Sequence, residues 1–495
     1  MSESLSKLKT RLAEVNALNS AVAMMDWDQQ THMPKGGAKA RAEHTGVLSR
    51  LSHELFVADE TQTWLDSAIK EVDPSTEDGN MLRVLRRDMD LRTKFPAELV
   101  EEKTRLTSQG HEEWVEARAA NDFAKFAPFL EKIVDIHRRE AELLGYTDHI
   151  YDALTDQYEE GASKKFWDNM FDGIREPLTQ LVAEIKGAPQ VDDSFLYGEW
   201  PVEAQRAFSL KLIDAIGFDL ERGRLDTAPH PFCTGWSIGD IRLTTRFKNY
   251  LPSAIMGSLH EAGHGVYEQG SPMDWDGSPL AGGVSLGFHE SQSRTWENIV
   301  GRSQAFWSRF LPDLKATFPA LQGVDLDTWY RALNRSEPSL IRVEADEVTY
   351  NLHIMVRFEL ECDMLTGALA IKDLPEAWNA KYQQYLGITP PNDAEGCLQD
   401  VHWSMGSMGY FPTYSMGNIL SYQIWNRLVA DLGDVDALMA HGDFAPILGW
   451  LRENLYRFGR SVKPQDLIKQ VTGGGMDPAP YLTAISAKYR AIYGL

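Results

Sequence analysis

Cysteine is scarce in this sequence, which excludes one common way of stabilising a fold. The 495 residues include only three cysteines, Cys233, Cys362 and Cys397, and no CxxC pair. An odd, widely spaced set does not suit a disulfide framework and is typical of a reducing compartment. The N-terminal stretch also lacks the uninterrupted apolar segment of a signal peptide. We therefore expect a cytoplasmic protein.

Basic residues are in deficit as well. There are 49 Lys and Arg against 72 Asp and Glu, which gives a formal net charge of −23 at pH 7. This balance argues against binding nucleic acid, because phosphate contacts need clustered Lys and Arg, and against binding an anionic membrane surface. No apolar run is long enough to span a bilayer. An anionic ligand is still compatible with the sequence, because one buried arginine can bind it inside an acidic protein.

Long linkers, low-complexity tracts and repeats of fixed period are missing too, so nothing marks a domain boundary. Hydrophobic residues make up 43% of the chain, enough for a large core. Apolar residues recur at helical spacing along most of the chain. The predicted helical stretches are 84–118, 125–144, 164–186, 201–216, 290–310, 343–370, 415–432, 445–458 and 479–493. We predict a mainly α fold, a single domain over residues 1–495, in one body or two lobes around a deep active-site groove.

One segment, WSIGDIRLTTRF at 236–247, alternates in character and does not follow helical spacing. Its apolar face consists of Ile241, Leu243, Thr245 and Phe247. The GD step before them is typical of a hairpin turn. We therefore predict a small β-sheet just before residue 260. An edge strand there can pair with an extended peptide through backbone hydrogen bonds.

The pentapeptide HEAGH at 260–264 has the spacing of a zinc-binding helix. His260 and His264 are four positions apart, so a helix places both imidazoles on one face. Glu261 then projects where it can reach a metal-bound water. The small Ala262 and Gly263 suggest space for a metal and a substrate. The pattern is short, however, and by itself leaves a zinc site and a chance pair of histidines equally open.

A catalytic zinc site needs a third protein ligand. The metzincin pattern requires a Gly and a His at positions that are occupied here by Tyr267 and Gly270, so that class is excluded. Glu290 opens a later helical pattern, after a Gly/Pro-rich loop long enough to turn back. Two His and one Glu are a known catalytic zinc set with an open fourth position. Glu297, two turns further on, is either an outer partner of the metal site or a solvated helix charge.

Several motifs occur together and in one order, and they carry a family resemblance. They are MDWDQQTHMPKGG, HPF, DIRLT, HEAGH, HESQSR, IRVEAD, GCLQDVHW and GYFPTYSMGN. In this set the chain resembles the carboxypeptidase Taq-type metallocarboxypeptidases over nearly its whole length. The resemblance implies a helical fold with a groove, often as a saddle-shaped homodimer. It also implies zinc, or cobalt in some members, and stepwise release of C-terminal residues with broad specificity. The metal ligands then fall on His260, His264 and Glu290, and the catalytic glutamate on Glu261.

Hydrolysis of a peptide also requires a donor for the negative charge that develops on the carbonyl oxygen. The segment QDVHWSMGSMGYFPTY offers His402 and one of two tyrosines, Tyr410 or Tyr414. Related helical zinc peptidases of the angiotensin-converting-enzyme type place a His and a Tyr similarly downstream, although with different spacing. Each of these side chains can equally belong to a buried polar network. Asp400 and Gln399 are candidates to orient His402 or the substrate backbone.

An exopeptidase must recognise the free C-terminal carboxylate, which a guanidinium binds through two parallel hydrogen bonds. Arg342, in IRVEAD, is the first candidate, at the start of a predicted helix. The alternative for Arg342 is an internal ion pair with Asp346, four positions later. Arg242, on the polar face of the predicted strand, is a second candidate.

Two other classes of protein remain as alternatives. A helical zinc oligopeptidase or dipeptidyl carboxypeptidase would use the same metal chemistry but release longer pieces. A helical binding protein with a structural zinc is a weaker alternative, because such sites commonly use paired cysteines. An aminopeptidase is also disfavoured, since no GxMEN-type motif precedes HEAGH. The sequence favours a metallocarboxypeptidase that acts on peptides with a free C-terminus.

Overall fold

The computed structural model describes residues 2–495 and is built mainly of α-helices, which confirms the predicted fold class. The helices before the sheet are α1 (Glu3–Thr31), α2 (Ala38–Val57), α3 (Asp59–Glu71), α4 (Glu77–Thr93), α5 (Ala97–Ala120), α6 (Phe123–Leu144), α7 (Ile150–Thr155), α8 (Lys164–Asp172), α9 (Arg175–Gly187) and α10 (Val202–Ala215). The strands are β1 (Gly223–Thr227), β2 (Cys233–Ser237) and β3 (Asp240–Thr245). The helices after the sheet are α11 (Leu251–Glu268), α12 (Leu286–Arg294), α13 (Gln304–Thr317), α14 (Leu326–Leu333), α15 (Tyr350–Thr366), α16 (Leu374–Leu386), α17 (Pro412–Leu432), α18 (Val435–His441), α19 (Ala445–Asn454), α20 (Pro464–Thr472) and α21 (Ala479–Tyr493). Across residues 2–495, no helix combines the length and apolar character needed to cross a membrane.

Several predicted helical stretches are interrupted. The stretch 84–118 divides at Pro96, because a proline disfavours helical backbone in the residue before it. The stretch 290–310 divides into α12, a single π-helical segment over Thr295–Val300, and α13. The stretch 343–370 becomes an α-helix only at Tyr350, so its first turns were predicted wrongly.

Two groups of buried side chains form the main hydrophobic cores. The smaller core joins α1 to α4 and includes Trp275 and Leu280 from the loop after α11. The larger core contains most of the other helices and the inner face of the sheet. Helix α11 lies in the larger core, where Leu259, Ala262 and Val266 are fully buried.

The sheet has the strand order β1-β3-β2, with β1 parallel and β2 antiparallel to β3. The segment 236–247 contains the end of β2, a two-residue turn at Ile238 and Gly239, and β3, so the hairpin turn lies one residue earlier than the predicted Gly239–Asp240 step. The expected buried face is present in β3, where Ile241, Leu243 and Thr245 are buried. Phe247 lies beyond the strand. Because β3 is central, the strands with an edge available for pairing with a peptide are β1 and β2 instead.

A buried acid holds the first turn of α12. Glu159 is 0% exposed, its Oε2 accepts a hydrogen bond from the Gly287 backbone N–H at 3.1 Å, and its Oε1 has no partner among the described residues. Burial raises the pKa of Glu159 to about 8, against 4.5 for an ordinary glutamate. The folded protein therefore holds this side chain in its protonated form while the unfolded chain ionises.

This raised pKa predicts that stability falls as pH rises. Below pH 4.5 the acid is protonated in both states, and between 4.5 and 8 only the unfolded state releases the proton. The loss attributable to Glu159 is at most roughly 4 kcal/mol by pH 8. Glu159→Gln cannot ionise, so the difference in urea midpoint between pH 5 and pH 8 should shrink in this variant. An unchanged pH dependence would show that Glu159 is ionised in the folded protein.

Candidate active site

Helix α11 carries three of the predicted site residues on adjoining positions of one face. His260, Glu261 and His264 lie in its second half, and Pro252 stands in its first turn, where no intrahelical N–H is required. Both flanks of this face are buried, and Glu261 is 6% exposed. The helix therefore presents polar groups in surroundings that are otherwise apolar, where such groups need partners.

The predicted metal ligands converge. One ligand atom each from His260, His264 and Glu290 lies within 4.8 Å of the other two. The Nε2 atoms of His260 and His264 lie 3.8 and 3.7 Å from Oε2 of Glu290. Ligands at about 2.0–2.2 Å from a tetrahedral zinc ion are separated by roughly 3.4 Å, so this set fits a metal of that size with little adjustment.

The convergence depends on a close crossing of α11 and α12 at Gly263. A Cβ added there would lie 2.6 Å from the backbone oxygen of Gln292 and from Cα of Ser293. Gly263 therefore admits the neighbouring backbone, which corrects the expectation that it leaves space for metal and substrate. On the other side of α12, a Cβ on Gly417 of α17 would lie 2.4 Å from Cγ of Glu290. Glu290 is thus held between two helices.

We expect Gly263→Ala to separate α11 from α12 and to weaken metal binding. Overpacking against backbone atoms costs about 1–3 kcal/mol, and here it also displaces Glu290 from the two histidines. Gly257→Ala on the same helix is the matched control, since its nearest neighbour would be Thr245 Oγ1 at an ordinary 3.8 Å. Thermal unfolding and metal titration should show losses for Gly263→Ala alone. Equal behaviour of the two variants would contradict this account of the crossing.

Glu261 has the environment of a base that works near neutral pH. Burial raises the pKa of Glu261 to about 7, with the carboxylates of Glu290 and Glu297 adding to the effect and His260 opposing it. A general base is most effective when its pKa lies near the working pH.

Two outer partners fix His260 and Glu290. Nδ1 of His260 lies 2.8 Å from Oε2 of Glu297, which the π-helical segment carries toward α11. Arg294 donates from Nε to Oε1 of Glu290 at 2.7 Å and thereby leaves Oε2 facing the histidines. The position of Glu297 matches the first of its two predicted alternatives. Arg294 was not predicted, although it lies in the HESQSR motif.

His264 has a different outer partner, which the sequence did not reveal. Its Nδ1 lies 2.5 Å from Nδ1 of His289, whose Nε2 lies 2.6 Å from Oε1 of Glu268. Burial lowers the pKa of His264 well below the ordinary histidine value, and the neighbouring His289 and His260 lower it further. One signal was available, because Glu268 follows His264 by one helical turn and so shares its face.

The predicted donors His402, Tyr410 and Tyr414 are close to one another. Nε2 of His402 lies 3.4 Å from the Tyr414 hydroxyl, and its buried Nδ1 has no hydrogen-bond partner among the described residues. Burial lowers the pKa of His402 to about 4, so the ring is neutral. Glu361 holds both ends of the loop between Trp403 and Gly409. It accepts a hydrogen bond from the Trp403 indole at 2.8 Å and another from the Gly409 backbone N–H at 3.1 Å.

Arg342 lies in a short 3-10 turn and is 4% exposed. It donates to Oδ1 of Asp400 from Nε at 3.0 Å and from Nη2 at 2.8 Å, and from Nη1 to the Tyr350 hydroxyl at 2.9 Å. Arg357 donates to the other oxygen of Asp400 at 2.6 Å and to Gln399 at 2.7 Å. Asp400 and Gln399 therefore orient arginines, and His402 Nδ1 lies 3.9 Å from Asp400.

The alternative ion pair between Arg342 and Asp346 is not formed. Asp346 instead accepts hydrogen bonds from the Ser336 hydroxyl and from the backbone N–H groups of Val348 and Thr349. These bonds hold the chain in a non-helical path before α15, which explains the late start of that helix.

Arg242 contacts one carboxylate and two aromatic rings within the protein. Its Nε and Nη2 donate to the two oxygens of Asp240 at 2.9 and 3.0 Å. Its guanidinium also lies over the rings of Trp27 and Trp236, 4.2 and 4.4 Å from their centroids. These contacts attach α1 to the sheet.

Comparison with known proteins places this site in a family. Residues 7–489 match the sequence model of the carboxypeptidase Taq (M32) metallopeptidases. The chain is 40% identical to thermostable carboxypeptidase 1 of Thermus thermophilus and 38% identical to carboxypeptidase 1 of Bacillus subtilis, in each case over 97% of both proteins. The crystal structure of the M32 carboxypeptidase from Deinococcus radiodurans R1 matches with a TM-score of 0.97, 40% identity and full coverage of both chains. These findings confirm the predicted enzyme class, a hydrolase acting on peptide bonds, and a divalent metal is implied. Since the family match and the full-length relatives agree, the chain belongs to the carboxypeptidase Taq (M32) family of metallopeptidases.

Proposed function

We propose that this enzyme is a zinc-dependent metallocarboxypeptidase that releases single residues from the free C-terminus of peptides with broad specificity. The observation that carries the proposal is the convergence of His260, His264 and Glu290 beside the buried Glu261. Two imidazoles and one carboxylate suit zinc, and cobalt as a substitute. A bound zinc ion would lower the pKa of a water molecule and polarise the scissile carbonyl.

Glu261 would accept a proton from the attacking water and later donate it to the leaving amine. The charges of His260, Glu290 and Glu297 act on its carboxyl group, so Glu261 lies close to the three proposed ligands. Its burial makes the protonated and ionised forms closer in free energy than in water, which suits a group that must do both.

Tyr410 and His402 would donate hydrogen bonds to the carbonyl oxygen as it gains negative charge. Burial raises the pKa of the Tyr410 hydroxyl, and the Glu290 carboxylate is among the charges that raise it further, so Tyr410 lies within electrostatic reach of one proposed ligand. Tyr414 lies closer to the carboxylate site, with its ring centroid 5.1 Å from the Arg342 guanidinium carbon. We therefore assign stabilisation of the oxyanion to Tyr410 and contact with the C-terminal residue of the substrate to Tyr414.

Arg342 would bind the C-terminal carboxylate. A guanidinium has five N–H groups. Asp400 and Tyr350 take three of them within residues 2–495, which leaves two for a substrate. Asp400, shared with Arg357, fixes the guanidinium plane and so prepares it for bidentate pairing.

The peptide backbone would pair with β2 in this proposal. Of the two outer strands, β2 packs more closely against α11, and it replaces the strand predicted for that role. Burial raises the pKa of the Cys233 thiol at its start, and the Glu261 carboxylate raises it further, so the strand begins near the predicted base. Toward its end, the Trp236 carbonyl accepts a hydrogen bond from Ser20 of α1, which limits pairing to the first residues.

Mass spectrometry of timed peptide digests tests the activity. We expect a ladder of products shortened by one residue at a time from the C-terminus, lost after chelation and restored by one equivalent of zinc. Release of dipeptides or internal cleavage would instead identify the oligopeptidase alternative. Absence of any cleavage by the zinc-loaded protein would favour a binding protein.

The assembly and compartment also belong to this proposal. The family resemblance supports a homodimer, and the scarcity of cysteine supports the cytoplasm. Sedimentation of the purified protein checks the first, since a monomer at micromolar concentration would contradict it.

A further inference from the structure

The outer partners of His264 form a chain of hydrogen bonds whose hydrogens can be assigned. An ionised carboxylate only accepts hydrogen bonds, so Nε2 of His289 carries the hydrogen that points to Glu268. When His289 carries this hydrogen alone, the lone pair of its Nδ1 faces His264, and Nδ1 of His264 donates across their 2.5 Å contact. A neutral His264 consequently has no hydrogen on Nε2, the atom 3.7 Å from Oε2 of Glu290.

We propose that Glu268 and His289 are positioning residues that set the tautomer of His264, so that its Nε2 is open to a metal ion before the ion arrives. The inference rests on the proposed metal site. If these hydrogen bonds ran in the opposite direction, His264 would carry a hydrogen on Nε2, and this nitrogen could not bind a metal. A fixed tautomer removes that competing form and holds the ring plane toward Glu290.

The side chains of Glu268 and His289, which we call the relay, are held in place by α11 and the loop before α12. Oε1 of Glu268 also accepts a hydrogen bond from the Gly283 N–H at 3.3 Å. A Cβ on Gly283 would lie 2.6 Å from Cδ2 of His289, so the loop backbone lies directly against this ring. His260 needs no such relay, because Glu297 reaches its Nδ1 directly. The carboxylate partner of His260 therefore contacts its ring directly, whereas the carboxylate of Glu268 reaches His264 only through His289.

Metal affinity tests the relay without the use of a peptide. We would titrate the apo forms of Glu268→Gln and His289→Phe with zinc in competition with a chromophoric chelator. Loss of an outer partner typically weakens metal binding 10- to 100-fold. We expect about 10-fold for Glu268→Gln, which keeps a weaker acceptor, and about 100-fold for His289→Phe, which leaves Nδ1 of His264 unpaired. His289→Gln restores an acceptor and should recover part of the loss, and the visible spectrum of the cobalt-loaded variants should shift.

Tyr267→Phe is the matched control. The Tyr267 hydroxyl accepts from the Val284 N–H at 3.2 Å and its ring lies 5.4 Å from that of His289, but it makes no hydrogen bond in the relay. Its zinc affinity should match that of the wild type. Folded Glu268→Gln and His289→Phe proteins that bind zinc within two-fold of the wild type would overturn the inference, as would equal weakening by Tyr267→Phe. If the wild type binds zinc with this dependence but cleaves no peptide, the relay stands and the proposed activity fails.

Discussion

Glu261→Gln is expected to retain its metal and to lose turnover by about 100- to 10,000-fold, the range that a positioned general base contributes. The amide is nearly isosteric with the acid, and Glu261 is not among the three converging ligand residues. The geometry of His260, His264 and Glu290 should therefore persist. What disappears is the carboxylate that, in the proposed mechanism, accepts the proton of the attacking water.

The measurement combines metal content with single-residue release under saturating peptide. Glu261→Asp is the matched comparison, because it keeps a carboxylate but withdraws it by one methylene, and it should lie between the wild type and Glu261→Gln. Turnover of zinc-loaded Glu261→Gln within ten-fold of the wild type would refute Glu261 as the base. Loss of zinc in this variant would instead make Glu261 part of the binding site.

The convergence of the proposed metal ligands was predictable because much of their geometry is local. Two histidines four positions apart share a helix face whatever surrounds the helix, and the site then needs one further ligand from a later rigid element. Glu290 meets that need in the structure, on α12. Its orientation, however, depends on how closely α12 crosses α11 at Gly263, and spacing along the chain does not contain that information.

The residues missed by sequence analysis belong to contacts across elements. His289 was visible within HESQSR, but its role requires Glu268 of another helix on its far side. Arg294 likewise acquires its meaning from Glu290 and Glu297 together. Such outer partners are selected by packing, so one sequence shows only that polar residues are present.

Local patterns did not determine two features of the fold, the start of α15 and the order of the strands. Apolar residues at 341–352 follow helical spacing, but Asp346 binds the backbone N–H groups that precede α15 and delays the helix. The alternation at 240–245 correctly indicated a strand, but not that β1 and β2 would cover both of its edges. Strand order is a long-range property that a short pattern does not fix.

Arg342→Lys is expected to lower kcat/KM for a peptide with a free C-terminus by about 100- to 1,000-fold, roughly 3–4 kcal/mol. Lysine keeps the positive charge but offers no planar pair of donors to a carboxylate. The same peptide with a C-terminal amide serves as a second substrate. It separates loss of carboxylate recognition from general damage to the active site. The wild type should prefer the free acid over the amide strongly, and in Arg342→Lys this preference should shrink toward unity.

The ratio of the two rates carries the argument, because both substrates meet the same population of folded enzyme. Partial unfolding, or loss of the Asp400 contact that Arg342 also makes, lowers both rates and cancels from the ratio. Arg242→Lys is the matched control, since that guanidinium is occupied by Asp240 and two tryptophan rings. An acid-to-amide preference that survives in Arg342→Lys, or that collapses in Arg242→Lys, would move carboxylate recognition away from Arg342.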